Sequence, residues 1–511
     1  MSHMNRKLLL IIFISIIILL SACGNNNGSD KDKENSSEDK EVNIVIADDP
    51  DFLDPHYATA SMTYMIILNM YEGLLAVEED GTLKPALAES YEVSEDGLVY
   101  TFNIREDVLF HNDEQLTAND VLYSYDRLLG THSDEPLTSE LDAIESMEVV
   151  DEFTFEVTLN EPNSNFLYML TALNAAIISE ANDDVQNESP VGTGPFKFVE
   201  YRPGAKLALE KNDNYWQEDV PSLDNVNFVF QSDDDVAILS LQAREVDIMG
   251  IPAHRIEEVE NDFTIETQEA NSTLLIAFNE DVEPFDDVRV RQAINFAMNK
   301  DDIIESIFSG YAAKLGSNMS PAMESVYLDG LENMYEQDIE RAKELMKEAG
   351  YSDGFSTKIT VSSHRSMYAD IAQIAKENLK EIGIDLEIEV VEWGIWLEQV
   401  YTDHNYEMTT IDLTGRPSAY EILNDYVSTN DNENFFRFNN AEFDDLMDRV
   451  LLEDEPEEQV ALYERAQEIL AEEAAAVYIA DYQFIWALDP QLEGMKYYPF
   501  YFHDMSEVNY K

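Results

Sequence analysis

A single cysteine in 511 residues, Cys23, leaves no partner for a disulfide and no thiolate cluster for a metal. Basic residues are also scarce, with 31 Lys and Arg facing 105 Asp and Glu. Phosphate backbones and anionic lipid surfaces would be repelled by that balance, which argues against nucleic acid as a partner. Long apolar runs are missing after the start of the chain. Leu8 to Leu20 is interrupted only by Ser15 and is too short to cross a bilayer as an ordinary span. There is no Gly-x-Ser-x-Gly elbow, no His-Glu-x-x-His and no phosphate loop, and the eight histidines are scattered. Nothing here names a catalytic group, a metal set or a cofactor.

What is present begins with Arg6 and Lys7, the apolar run, and then Leu20-Ser21-Ala22-Cys23. A basic start, a short apolar stretch and small residues at a cut site make a secretory leader over residues 1–22. The cysteine at the cut resembles the lipobox of bacterial lipoproteins, which implies acylation of Cys23 and an extracytoplasmic protein anchored by lipid. Residues 23–40 are then a polar tether with nothing to bury. The remaining chain exceeds a usual single core and predicts more than one lobe. Its acids are spread over otherwise ordinary elements, a surface suited to salt or alkali.

Val42–Ile46, Val99–Ile104, Phe153–Leu159 and Ile384–Val391 read as strands from their alternation. Helices are predicted after the Thr117 cap, over Val288–Lys300, over Asp338–Ala349 before Gly350, and over Ser366–Ile382 before Gly383. Asp96-Gly97 predicts a hairpin turn, and Gly192-Thr193-Gly194-Pro195 a turn into the strand at Phe196. Strands and helices interleave, so the fold class is α/β.

Several collinear segments carry a family resemblance: Leu53-Asp54-Pro55, Asn69-Met70-Tyr71-Glu72-Gly73-Leu74, Gly192-Thr193-Gly194-Pro195-Phe196, Asn212-Asp213-Asn214-Tyr215-Trp216 and Val288-Arg289-Val290-Arg291-Gln292-Ala293-Ile294. With them, the chain resembles the peptide/nickel class of ABC-transporter solute-binding lipoproteins, extracellular solute-binding family 5. The resemblance implies a periplasmic-binding-protein-like class II fold (cluster C). It implies lobe I from residues 41–66, 190–277 and 486–511, an inserted subdomain at 67–189, and lobe II at 278–485. The lobe crossings fall near Ala277-Phe278-Asn279 and Asp481-Tyr482-Gln483, with hinge closure on a solute.

It also implies a monomer that captures short peptides and hands them to a permease and its ATPase, with no chemistry. Nickel in a carboxylate-rich chelator, a sensor or adhesin, and an extracellular hydrolase remain alternatives. The implied site loops contain Arg365, Trp393, Trp396, Asp412, Gly415 and Arg416. An arginine fork suits a ligand carboxylate, and Arg365 paired with surface acids is the bland alternative. Trp393 and Trp396 either stack on ligand or pack at helical spacing. Peptide-binding relatives place an aspartate for the ligand's amino group where Arg416 stands, with Asp412 several residues earlier. Nickel-binding relatives carry a histidine where this chain has Glu421 or Ile422, and an arginine that is missing from Leu167 to Glu180. Two arginines in two site loops lead to the expectation of a ligand with more than one carboxylate.

Overall fold

The strand Ala476–Leu488 joins the two halves of the molecule. Its sequence, AVYIADYQFIWAL, is apolar over most of its length, as a strand covered on both faces requires. Ala476 to Ala480 pairs antiparallel with Ser272–Phe278, while Gln483 to Leu488 pairs with Thr264–Glu269 and, at its end, with Ile248–Gly250. One strand thus belongs to two lobes of a twelve-stranded sheet. The computed structural model describes residues 40–131, 136–138, 141–431, 433–453, 455–498, 500 and 502–511, and Lys40–Lys511 forms one compact unit. The leader, Cys23 and the tether lie outside the described residues.

On the lobe II side the order runs outward through Ser272–Phe278, Met408–Thr414, Phe355–Ser362 and Ile384–Val391. The last two are parallel, connected by helix Ser366–Lys380. Gly383, at φ +86°, turns the chain from that helix into its strand. One continuous core, from Leu274 to Ala480, fills this lobe. On the lobe I side Ile248–Gly250, Glu41–Ile46, Asn225–Phe230, Lys206–Lys211 and Phe196–Arg202 follow in order. Helix Asp234–Gln242 packs beneath it on a smaller core that includes Ile238 and Leu241.

Residues between these two runs of lobe I build a four-stranded antiparallel sheet of Ala88–Val93, Val99–Ile104, Thr154–Leu159 and Ile144–Asp151. Helix Ala118–Leu128 covers it, closing its own core around Phe102, Tyr125 and Phe155. Asp120 Oδ2 accepts from both the backbone N–H and the hydroxyl of Thr117 at 2.8 Å, which fixes the start of that helix.

Two sequence expectations are corrected. Val288–Lys300 is not one helix: Val288–Ala297 ends, Met298 is extended, and Lys300–Phe308 begins anew. Asn299 causes the restart, because its side chain accepts from the Asp302 N–H and caps the second helix. The first lobe crossing is earlier than residues 277–279. The whole of Ser272–Phe278 pairs with Met408–Thr414, so the chain passes between lobes at Ala270-Asn271. At the second crossing Asp481 and Tyr482 pair with Ala313 and Ala312.

Candidate functional site

The loop after strand Met408–Thr414 is shaped by contact with the first crossing. A Cβ on Gly415 would lie 1.9 Å from the Asn271 carbonyl oxygen, so only glycine fits there. The Asn271 amide donates to the Arg416 carbonyl at 3.2 Å. Pro417 follows, and Ser418 caps the short helix Ala419–Asn424. The Arg416 side chain is thereby held over that helix. Its Nη1 donates to the Glu421 carbonyl at 2.8 Å and to Asp425 Oδ1 at 3.2 Å, and Nη2 lies 3.8 Å from Glu433.

This loop forms part of a cavity of about 490 Å³ between the lobes. Lobe II contributes Tyr401, Leu413 to Pro417, Glu421, Asp425, Glu433 and Phe435. The other wall is made by Thr59, Ser61, Tyr64, Leu173, Asn174 and Phe500. A smaller cavity of about 140 Å³ shares Leu173, Pro417 and Phe500 with it and extends along Tyr498 and Phe502. Burial pushes the Asp425 carboxyl up to about 7 despite the opposing pull of Arg416. The Tyr401 hydroxyl donates to Glu433. No group of three or more His, Cys, Asp or Glu is arranged to hold a metal ion among the described residues.

Of the six residues expected in the site, Gly415 and Arg416 line the cleft cavity. The other four form a neighbouring structural cluster. Arg365 pairs with Asp412 at 3.0 Å and donates to the Tyr482 hydroxyl at 3.2 Å, tying the 365 loop to the crossing strand. Asp412 is nearly fully buried and also accepts from Tyr368. Trp393 and Trp396 stack on each other at 5.3 Å with rings 5° from parallel. Trp396 is 2% exposed and donates its indole N–H to Thr409 at 2.9 Å, so it is core and not cleft wall. Arg365 and Arg416 each have a carboxylate partner, and acids outnumber bases three to one in the described lining of the cavity.

Sequence reasoning missed Asp425, Glu433, Tyr401, Tyr64, Asn174 and Phe500. For Asp425 and Glu433 the signal was acids just after a rare arginine, invisible against so acidic a background. The family segments meet elsewhere. Asp54 takes the Arg127 guanidinium at 2.6 and 3.2 Å, pinning the inserted sheet's helix to lobe I. Glu72 accepts from Thr193, Tyr215 and Trp216 at 2.8, 3.0 and 3.1 Å, gathering three separate motifs into one half-buried knot. Burial raises the Glu72 carboxyl to about 7.

Two α/β lobes that share a strand and enclose a cavity define a hinged binding protein. The chain belongs to the bacterial extracellular solute-binding proteins, family 5, whose middle region matches residues 82–434. It is 28% identical over 477 residues to heme-binding protein A of Haemophilus influenzae, covering 84% of this chain and 85% of that protein. It is 27% identical over 471 residues to the glutathione-binding protein GsiB of Escherichia coli K12, covering 89% and 91%. Among solved structures, the ABC transporter-associated periplasmic binding protein DppA of Helicobacter pylori, in complex with the peptide STSA, superposes with a TM-score of 0.72. It shares 28% identity, and the match covers 92% of this chain and 98% of that one.

Proposed function

We propose that this protein is the lipid-anchored receptor of an ABC importer, and that it captures a short peptide in the cleft and releases it unaltered to the permease. The observation that carries the reading is the cavity whose lining comes from both lobes, because closure then buries a solute on every side. The peptide complex of the Helicobacter pylori relative supports peptide as the cargo class. The leader and Cys23 support anchoring outside the membrane. The Lys40–Ala270 and Tyr482–Lys511 segments, with the inserted sheet, form the half that meets lobe II across the cleft.

Native mass spectrometry of the purified chain tests the cargo. The expected result is a ladder of co-purifying peptide masses, with added peptide recovered intact after incubation. A metal complex in their place, or cleaved peptide, defeats the reading. A Cys23→Ala chain should leave the membrane fraction, and retention there would defeat the anchor.

A further inference from the structure

We propose that Asp481 is a proton-sensitive latch on the hinge: as a carboxylate it ties the two crossing strands to the body of lobe II, and on taking up a proton it slackens that tie. Such a latch acts on the hinge whatever solute the cleft takes. The two stretches of chain that pass between the lobes meet at this one side chain. Asp481 stands on the second crossing and is fully buried. Its Oδ1 accepts from the Ser272 N–H at 3.1 Å, and the carboxylate also accepts from the Asn271 N–H, so the first crossing hangs on it by two successive amides. Its Oδ2 accepts from the hydroxyl of Ser320, a residue of a lobe II loop that itself accepts from the Ala322 N–H at 2.9 Å.

Asn271 gives the tie its purpose. It is held at φ +49°, a left-handed conformation that side chains disfavour and that persists where the surroundings enforce it. Hydrogen bonds to a carboxylate are roughly twice as strong as those to a neutral acceptor, so the charged latch grips the crossing harder than the protonated one. Among the described residues no Lys, Arg or His forms an ion pair with Asp481, and the ionisable groups around it are acids or already engaged. Glu269, on the lobe I side of the first crossing, disfavours its charge and accepts from Gln483 at 3.0 Å. On strand Met408–Thr414, Asp412 pairs with Arg365, whose guanidinium also reaches Tyr482. Lys314 turns to Asp301, and Lys300 donates to the Leu315 carbonyl at 3.1 Å. Asp301, Asp302 and Glu305 of that helix are exposed, and loop 317–322 carries no ionisable side chain. Burial with this company raises the Asp481 carboxyl to about 7, where modest changes of pH alter its charge.

Double electron–electron resonance on the full-length chain tests this without any solute. Spin labels go on Val199→Cys and Val390→Cys, exposed positions on the two outer strands of the shared sheet, in a Cys23→Ala background. The parent should give a narrow distance distribution at pH 9 and one about twice as broad at pH 5, with the change centred near 7. Asp481→Asn, neutral and of the same shape, should give the broad distribution at both pH values. Ser320→Ala removes a bond that favours the charged form, so it should move the midpoint to higher pH. A parent distribution that is the same at both pH values, or one that changes equally in Asp481→Asn, overturns the proposal. If Asp481→Asn fails to fold, the Ser320→Ala midpoint decides, and an unmoved midpoint overturns it.

Discussion

The two walls of the cleft differ in kind. Lobe II presents an arginine and three acids on a short loop, the helix after it and the turn that holds Glu433, backed by a packed aromatic core. Among the described residues the opposite wall presents hydroxyls, one amide and rings, and no Asp, Glu, Lys, Arg or His. The formal charge that borders the cavity among the described residues thus sits on one lobe, facing an uncharged wall. The difference also shows why counting arginines misleads in so acidic a chain. The sign of a site is set by what surrounds the cation, and Arg416 is surrounded by Glu421, Asp425 and Glu433.

The asymmetry can be broken first from behind. Trp396→Ala removes a buried ring from under the lobe II wall and should cost about 3–5 kcal/mol in urea unfolding, whereas Trp393→Ala should cost far less. A small loss for Trp396→Ala would mean that the wall does not rest on the stacked pair.

Arg416→Gln comes next. It strips Asp425 of its cation, and after discounting for the part-exposed arginine the loss should be about 1–3 kcal/mol at pH 8. The loss should be smaller at pH 6, where Asp425, raised to about 7, is mostly protonated. Equal losses at both pH values would remove Asp425 from the account.

Asp481, buried at the second crossing, accepts from the Ser272 N–H and the Ser320 hydroxyl. Burial raises it from 3.8 to about 7, so the folded chain holds that proton more tightly than the unfolded one. Its contribution is full below about 4 and is lost as pH rises to about 7. Asp481→Asn should therefore melt higher than the parent at pH 8, with the gap closing toward pH 4. In the lobe I half, burial depresses His56, His111 and His503 from 6.5 to about 4, and the sign reverses. That contribution is full above 6.5 and lost as pH falls to about 4. Hydrogen exchange at pH 5 should accordingly loosen lobe I first, although Glu72 opposes the trend there.

The smallest effect belongs to the neutral wall. Asn174→Ala should weaken peptide binding in isothermal titration by about threefold or less, since it removes at most one uncharged hydrogen bond. A larger loss would move the grip on the cargo toward lobe I.

Local features of the fold were legible because their causes are local. Gly383 and Asp338 mark helix ends, and the alternation from Ile384 to Val391 marks a strand. The first crossing was not legible. Ser272–Phe278 is uniformly buried, so its residues carry no mark of which lobe they pair with. In the site, Gly415 and Arg416 were within reach because their loop follows a readable strand. Asp425 and Glu433 were not, being acids among many. Tyr64, Asn174 and Phe500 come from distant stretches that only the folded chain brings opposite that loop. The Trp393 and Trp396 spacing allowed both stacking on ligand and packing, and the indole bond to Thr409 decides for packing at Trp396.

Asn271 sits where the backbone passes between lobes, and it is also the residue that seats Gly415 and holds Arg416. A point near a rotation axis travels least when a door swings. The charged loop is thus mounted beside that crossing, with Asn174 and Phe500 on the opposite wall, so a rotation of the lobes about the crossing would move the loop less than that wall.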